Sequence, residues 1–390
     1  MKQFLEGSYA IAEVIKLCRP GVISAYPITP QTHIVEGLAE IIANGELNAE
    51  FINVESEHSA ASVVLGASAT GVRTFTATSS QGFLLMVEVL FNIAGMRLPI
   101  IMTCANRAVS APINIWNDHQ DSVTVRDSGW IQFYAETIQE AVDMHIQAYR
   151  IAENPQIALP VMICIDGYLL THGVETVDIP EQKLVDEFLP PFKPVMKLDP
   201  QAPITMGVLG GPDYYMETRF AIQKALDDAL KLIPTVCDDF GKKFNRISGG
   251  LMEGYKLEDA KSAIITMGSV AGTVKETVDE LRAKGQKVGG LRVITYRPFP
   301  KEEIYNALKN VSEIAVLEKA IGLGGFGPLY ADIKTAFQGR KENPKVSGFV
   351  IGLGGRDVTK NSIKTVFSKL AGKQTDCEFI DLVCKTGENV

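Results

Sequence analysis

Between residue 8 and about residue 185, short apolar runs alternate with helical patterns, and no other feature constrains the fold so strongly. Val22–Ala25, Phe51–Val54, Arg73–Thr78, Pro99–Thr103, Trp130–Tyr134 and Pro160–Ile165 read as strands. Ala60–Gly71, Leu84–Met96 and Glu140–Glu153 between them read as helices. This alternation predicts a doubly wound α/β domain, a mostly parallel sheet with helices on both faces. Residues 104–129 lack periodicity, and a loop of that length inside a compact domain is usually functional.

The proline-rich stretch around Leu189-Pro190-Pro191-Phe192-Lys193-Pro194 reads as a linker. A second α/β unit follows, with strands expected at Thr205–Leu209, Ser262–Met267, Lys287–Ile294, Glu313–Leu317 and Gly348–Ile351. Its helices are expected to include Tyr214–Leu232 and Gly272–Lys284. The expected organisation is a first domain over 1–190, a linker over 191–203 and a second domain over 204–390. The motif Gly-Leu-Gly-Gly occurs twice, at 322–325 and 352–355.

A hydrophobic content of 46% with 22% charged residues describes an ordinary globular protein. The net charge of -8 argues against nucleic acid or an acidic membrane as main partner. No run approaches the roughly 18 apolar residues of a membrane span, since Phe83–Met96 is interrupted by Glu88. Cys18, Cys104, Cys164, Cys237, Cys377 and Cys384 form no C-x-x-C pair. Buried, inert thiols in a reducing cytoplasm are expected, with no zinc site and no iron–sulfur cluster in this chain. A pairing or shared metal at Cys377 and Cys384 matches no known ligand spacing.

Tyr26-Pro27-Ile28-Thr29-Pro30 follows the first apolar run. Its prolines fix φ and push each preceding residue toward extended geometry, so the Thr29 hydroxyl is held stiffly at a strand end. Open α/β folds bind ligands at that carboxyl edge. Glu55 and Glu57 follow the next run and precede a helix of small residues. A carboxyl group screened from water there holds its proton tightly and can offer a hydrogen bond to a heterocycle nitrogen. Acids at a helix amino-terminus are also favoured by its dipole, and spacing does not separate the two readings. Arg107, just beyond another strand, suits bidentate capture of a carboxylate. Thr29, Glu57 and Arg107 thus follow different strands on one predicted sheet edge, which points to a pocket.

Two other patterns carry less. Gly322-Leu-Gly-Gly-Phe-Gly327 contains G-x-G-x-x-G after a strand and before a helix, but the strand ending near Ile351 supplies no acid for a ribose. Tight strand–helix packing is the favoured reading. His58 and His119 have no ligand partner at i+3 or i+4, so capping or surface roles are expected of them.

Several segments together resemble the alpha subunit of pyruvate:ferredoxin oxidoreductase. They are Tyr26–Pro30, Val54–Ala61, Gly71–Gly82, Asn106–Asp118, Arg126–Tyr134, Tyr296–Pro300 and Gly352–Val358, and they span nearly the whole chain. The resemblance implies a thiamine diphosphate pyrimidine-binding domain followed by a domain like the carboxy-terminal domain of transketolase. It also implies beta, gamma and delta subunits, with the cofactor shared with beta and with Mg2+ and [4Fe-4S] clusters on the partner subunits. By position, Glu57 matches the glutamate facing N1′ of the aminopyrimidine, the residue that sets the activating tautomer. Glu55 is its neighbour and is not given that role. Thr29 matches the threonine that hydrogen-bonds substrate, and Arg107 the arginine that holds the substrate carboxylate.

The implied reaction is oxidative decarboxylation of a 2-oxoacid, with electrons passing to ferredoxin and the acyl unit to coenzyme A. Pyruvate is the favoured substrate, and 2-oxoisovalerate is the close alternative because branched-chain enzymes share these motifs. A 2-oxoglutarate enzyme is disfavoured, since the loop after Arg107 lacks an evident second basic residue. A non-catalytic scaffold and a nucleotide-binding dehydrogenase using the 322–327 glycines are the competing classes.

Overall fold

The structure, a computed structural model, describes residues 2–383. A seven-stranded sheet runs in the order Thr295–Arg297, Ile131–Tyr134, Val161–Asp166, Ile101–Asn106, Thr74–Thr78, Val22–Ile23 and Glu50–Phe51. Its pairs are parallel, except that Thr295–Arg297 lies antiparallel to Ile131–Tyr134. A six-stranded sheet runs Glu378–Phe379, Lys345–Val350, Glu313–Glu318, Ser262–Thr266, Val288–Val293 and Met252–Tyr255, with only the last strand antiparallel. A separate antiparallel pair joins Lys2–Glu6 to Val174–Asp178.

The central strands Thr74–Thr78, Ile101–Asn106 and Val161–Asp166 are buried throughout, as parallel strands covered on both faces must be. One apolar cluster bridges the sheets: Ile100, Tyr134 and Met162 pack with Ile265, Val293 and Val316. Burial also pushes the Cys18 and Cys104 thiols well above their ordinary value, as expected of core cysteines. Cys377 is partly buried. Cys384, and with it the considered Cys377–Cys384 pairing, lies outside the described residues.

Three elements differ from expectation. Thr205–Leu209 forms no strand; Val208 and Leu209 are exposed, and no sheet edge takes up their backbone. The helix expected over Tyr214–Leu232 runs from Pro212 to Phe244. Pro234 does not end it, because Ile222, Ala225, Ala229, Ile233, Val236 and Phe240 form a continuous buried face. That face packs in the cluster containing Ile131, Ile146 and Val161 of the first sheet and its helices. The helix expected over Leu84–Met96 is two helices, Ser80–Leu85 and Val87–Gly95, meeting at Met86.

Candidate active site

Thr29, Glu57 and Arg107 follow the strands Val22–Ile23, Glu50–Phe51 and Ile101–Asn106 at the carboxyl edge of the first sheet. Pro30 is buried while Thr29 is exposed. Gln31 anchors the turn, donating from Nε2 to the Ala77 carbonyl at 2.7 Å. The Arg107 guanidinium reaches back to this turn, with Nη1 donating to the Thr29 carbonyl at 2.9 Å. Its Nε donates to the Asn114 carbonyl at 2.8 Å.

Arg107 is buried, and desolvation lowers its pKa from the ordinary guanidinium value. Among the described residues no carboxylate forms an ion pair with it. A buried cation bonded only to neutral carbonyls is poised for an anionic ligand, because one would supply the missing charge compensation.

Glu57 opens the helix Glu57–Ala69, whose amino-terminus is capped by Ser56 Oγ accepting from the Ser59 N–H at 3.2 Å. The side chain is buried, at 7% exposure. Gly82 lies directly against it: a Cβ at that position would collide with Glu57 Oε1. No protein donor reaches the Glu57 carboxylate among the described residues. Glu55, two residues earlier, is exposed and accepts from Ser59 Oγ, which holds its carboxyl below the usual range. Burial therefore separates the two acids that spacing left equivalent.

Asp121 links the two halves of the site. Its Oδ2 accepts from the Arg107 N–H at 3.0 Å and the Ser80 N–H at 3.0 Å, and its Oδ1 accepts from Asn106 Nδ2 at 2.7 Å. Burial pushes this carboxyl up to about 6 against those donors. Ser80 opens the helix Ser80–Leu85 that carries Gly82, so Glu57 connects to Arg107 through Gly82, Ser80 and Asp121. Sequence reasoning missed Gly82 and Asp121. Both stood inside quoted motifs or the aperiodic loop, without a spacing that singled them out.

The two glycine repeats have separate uses. Gly354 accepts from Asn114 Nδ2 through its carbonyl at 3.1 Å and donates its N–H to Asp118 Oδ2 at 3.1 Å. A Cβ on Gly355 would collide with Trp116. Residues 352–355 therefore hold the loop that follows Arg107. At the other repeat, the Glu318 carboxylate accepts from the Leu329 and Tyr330 N–H groups at 2.9 and 3.1 Å. These open the helix Pro328–Phe337, and a Cβ on Gly327 would overlap Glu318. The protein's own carboxylate thus fills the anion position that a nucleotide phosphate would need. Burial pushes that carboxyl up to about 8.

His58 is exposed. His119 departs from the surface role expected of it: it is buried, and its Nε2 lies 2.9 Å from Asp166 Oδ1. It stands at the N-cap of the helix Gln120–Thr124 but makes no side-chain cap. Asp166 ends the strand Val161–Asp166 of the first sheet and is itself held from the second unit. Lys319 Nζ meets the same Asp166 oxygen at 2.9 Å, and Asp166 Oδ2 accepts from the Ser269 N–H at 2.9 Å.

A doubly wound domain that carries, at its carboxyl edge, a buried glutamate without a donor and an arginine without an ion pair among the described residues offers a candidate site for a cofactor and an anionic ligand. The family model described as "Pyruvate flavodoxin/ferredoxin oxidoreductase, thiamine diP-bdg" matches residues 13–237. The model for "Pyruvate:ferredoxin oxidoreductase core domain II" matches residues 260–363. The chain belongs to the pyruvate flavodoxin/ferredoxin oxidoreductase family.

The pyruvate synthase subunit PorA of Methanosarcina barkeri is 50% identical over 385 residues, covering 97% of this chain and 96% of that protein. The ketoisovalerate oxidoreductase subunit VorA of Pyrococcus horikoshii is 46% identical, covering 94% of this chain and 93% of its own length. Among solved structures, the 2-oxoglutarate:ferredoxin oxidoreductase from Magnetococcus marinus, with 2-oxoglutarate, coenzyme A and succinyl-CoA bound, aligns with a TM-score of 0.69 at 20% identity. The match covers 95% of this chain, which spans 65% of that one. A split-gene transketolase, an inactive beta4 tetramer, aligns at TM-score 0.55 and 14% identity over 93% of this chain and 96% of its own. At these identities the two structures show the shared fold.

Proposed function

We propose that this chain is the alpha subunit of a thiamine diphosphate-dependent 2-oxoacid:ferredoxin oxidoreductase that acts on pyruvate. The observation that carries the reading is Arg107: a buried guanidinium with no ion-pair partner among the described residues, tied to the Thr29 carbonyl on the edge that also presents Glu57. The 50% identity to a pyruvate synthase subunit, against 46% to a ketoisovalerate subunit, favours pyruvate. The close branched-chain relative keeps 2-oxoisovalerate as the second reading.

Glu57 fits thiamine diphosphate through its carboxyl, which has no donor among the described residues and is buried against Gly82, where no side chain would fit. When bound, the cofactor supplies a carbon nucleophile and an electron sink for decarboxylation. Glu57 would hydrogen-bond the aminopyrimidine end of that cofactor through its buried carboxyl. Arg107 binds the substrate carboxylate, and the Thr29 hydroxyl orients the substrate beside it. The buried surroundings of Arg107 and Glu57 strengthen both interactions.

In this reading residues 1–190 bind the pyrimidine end of the cofactor, 191–203 are the linker and 204–390 form the transketolase-like domain, with the helix Pro212–Phe244 packed back onto the first sheet. The beta subunit shares the cofactor and supplies Mg2+, [4Fe-4S] clusters lie on partner subunits, and gamma and delta complete a cytoplasmic complex. The exposed Ile113 and Trp116, on the loop beside Arg107, suit an edge that a partner subunit covers.

The test is coenzyme A-dependent reduction of ferredoxin or a viologen dye by the co-purified, anaerobic complex. Pyruvate, 2-oxoisovalerate and 2-oxoglutarate are offered in parallel. Preference for pyruvate is expected. Preference for 2-oxoisovalerate changes the substrate and keeps the mechanism, whereas inactivity with all three points to a scaffold.

A further inference from the structure

We propose that Glu6, His33 and His172 together bind one divalent transition-metal ion of the zinc class. Among the described residues they are the only group of three or more His, Cys, Asp or Glu whose ligand atoms lie together, all within 4.8 Å of one another. They come from the end of the strand Lys2–Glu6, the first turn of the helix Thr32–Ala43 and the loop after Val161–Asp166. No local spacing could reveal them, which is why the sequence led to an expectation of no metal in this chain.

The geometry suits ligation. Glu6 Oε1 and His33 Nδ1 are 2.6 Å apart, and the His33 and His172 ring centroids are 4.8 Å apart. A metal with bonds of about 2.0–2.2 Å to nitrogen and oxygen would replace the direct contact between Glu6 and His33. Two imidazoles and a carboxylate, with no thiolate, form a donor set suited to Zn2+, Co2+ or Ni2+, with water free to take a fourth position.

An outer shell is present as well. Thr171 Oγ1 lies 2.7 Å from His172 Nδ1 and accepts from the Tyr168 N–H at 2.8 Å. With Nδ1 engaged, Nε2 is the His172 nitrogen left for a metal, and such second partners fix ring orientation at ligand histidines. Tyr168 lies against His172 at 4.8 Å, and Tyr9 stacks on His33 at 6.0 Å, so both rings are flanked. All three ligands are partly exposed, which leaves an entry path.

The ion would join three segments that meet behind the substrate edge. Gly167, at the start of the His172 loop, donates to the Asn106 carbonyl at 3.1 Å and accepts from Asn117 Nδ2 at 3.0 Å. A Cβ there would stand 2.6 Å from Pro30 Cγ. A metal at this position therefore braces the backing of Thr29 and Arg107 without touching substrate.

The experiment titrates the tag-free, metal-stripped full-length chain with Co2+, read by its visible d–d absorption, and with Zn2+ against a chromogenic chelator. Thermal melting with and without metal is read in parallel. One equivalent of metal that raises the melting temperature is expected. Glu6→Gln, His33→Ala and His172→Ala should each weaken binding by at least about tenfold, the loss that even outer-shell changes cause. His58→Ala, an exposed control, should bind as the parent does. No uptake by the parent chain overturns the proposal, as does unchanged binding by Glu6→Gln and His172→Ala. Because Glu6→Gln keeps the side chain's size, it decides the matter should a histidine variant fail to fold.

Discussion

The Asp121 carboxylate accepts the backbone N–H of Arg107 at 3.0 Å, and through the same oxygen that of Ser80 at 3.0 Å. A single buried acid therefore sets the position of Arg107 and of the helix Ser80–Leu85, whose Gly82 packs on Glu57. Every partner of that carboxylate named above is a donor, so an amide in its place would turn its NH2 toward N–H groups. Asp121→Asn should lower kcat by at least about tenfold, with a stability loss of about 1–3 kcal/mol from unsatisfied donors. Steady-state kinetics of the complex and urea unfolding of the chain check the two parts.

Glu57→Gln should slow exchange of the cofactor C2 proton by orders of magnitude, since an amide cannot hand over the required proton. Proton exchange followed by NMR in the assembled complex measures it. Near-parental exchange would sink the assignment. Gly82→Ala should produce a milder version, because its methyl group must displace the Glu57 carboxylate.

Arg107→Ala should raise KM for the 2-oxoacid more than it lowers kcat, because in the proposed role the arginine would bind the carboxylate in both ground and transition states. Arg107→Lys should restore little, as a point charge cannot reproduce the fork that reaches both Thr29 and Asn114. An unchanged KM in Arg107→Ala would show that the carboxylate is held elsewhere.

Asp166 and Lys319 join the two sheets through a buried ion pair at 2.9 Å. Burial alone raises the Asp166 carboxyl; the Lys319 ammonium and then His119 override it and hold the group well below the usual carboxylate range. Its stabilisation is thus fully present above the unfolded value of about 3.9 and is lost as pH falls through the lower folded value. Acid unfolding should be steeper below about pH 4 in the parent than in Asp166→Asn. Lys319→Met, which leaves the acid with less compensation, should cost about 3–5 kcal/mol near neutral pH, read by urea denaturation.

The isolated chain should not bind NAD(H), since Glu318 already occupies the amino-terminus of the helix Pro328–Phe337. Fluorescence titration with NADH checks this, and saturable binding would revive the dehydrogenase reading. Gly327→Ala should lower the melting temperature, because its Cβ would overlap that carboxylate.

Much of this protein was determined by local sequence alone. Alternation of apolar runs and helical patterns is a short-range property, so it placed the parallel strands of the first sheet and most strands of the second. Proline geometry at Thr29-Pro30 and the positions of Glu57 and Arg107 after strands are equally local, and they led to one sheet edge. Tertiary structure decided what depends on distant partners. Burial distinguished Glu57 from Glu55, and a core face carried the Pro212–Phe244 helix through Pro234 onto the first sheet. Asp166, in the first sheet and 47 residues away, turned His119 inward, and Lys319 of the second unit holds that acid in place. Glu6, His33 and His172 meet only because strand pairing and loop packing close large gaps in the chain. Periodicity reports which way a side chain faces within its own element; the identity of what it then meets is set by packing between elements.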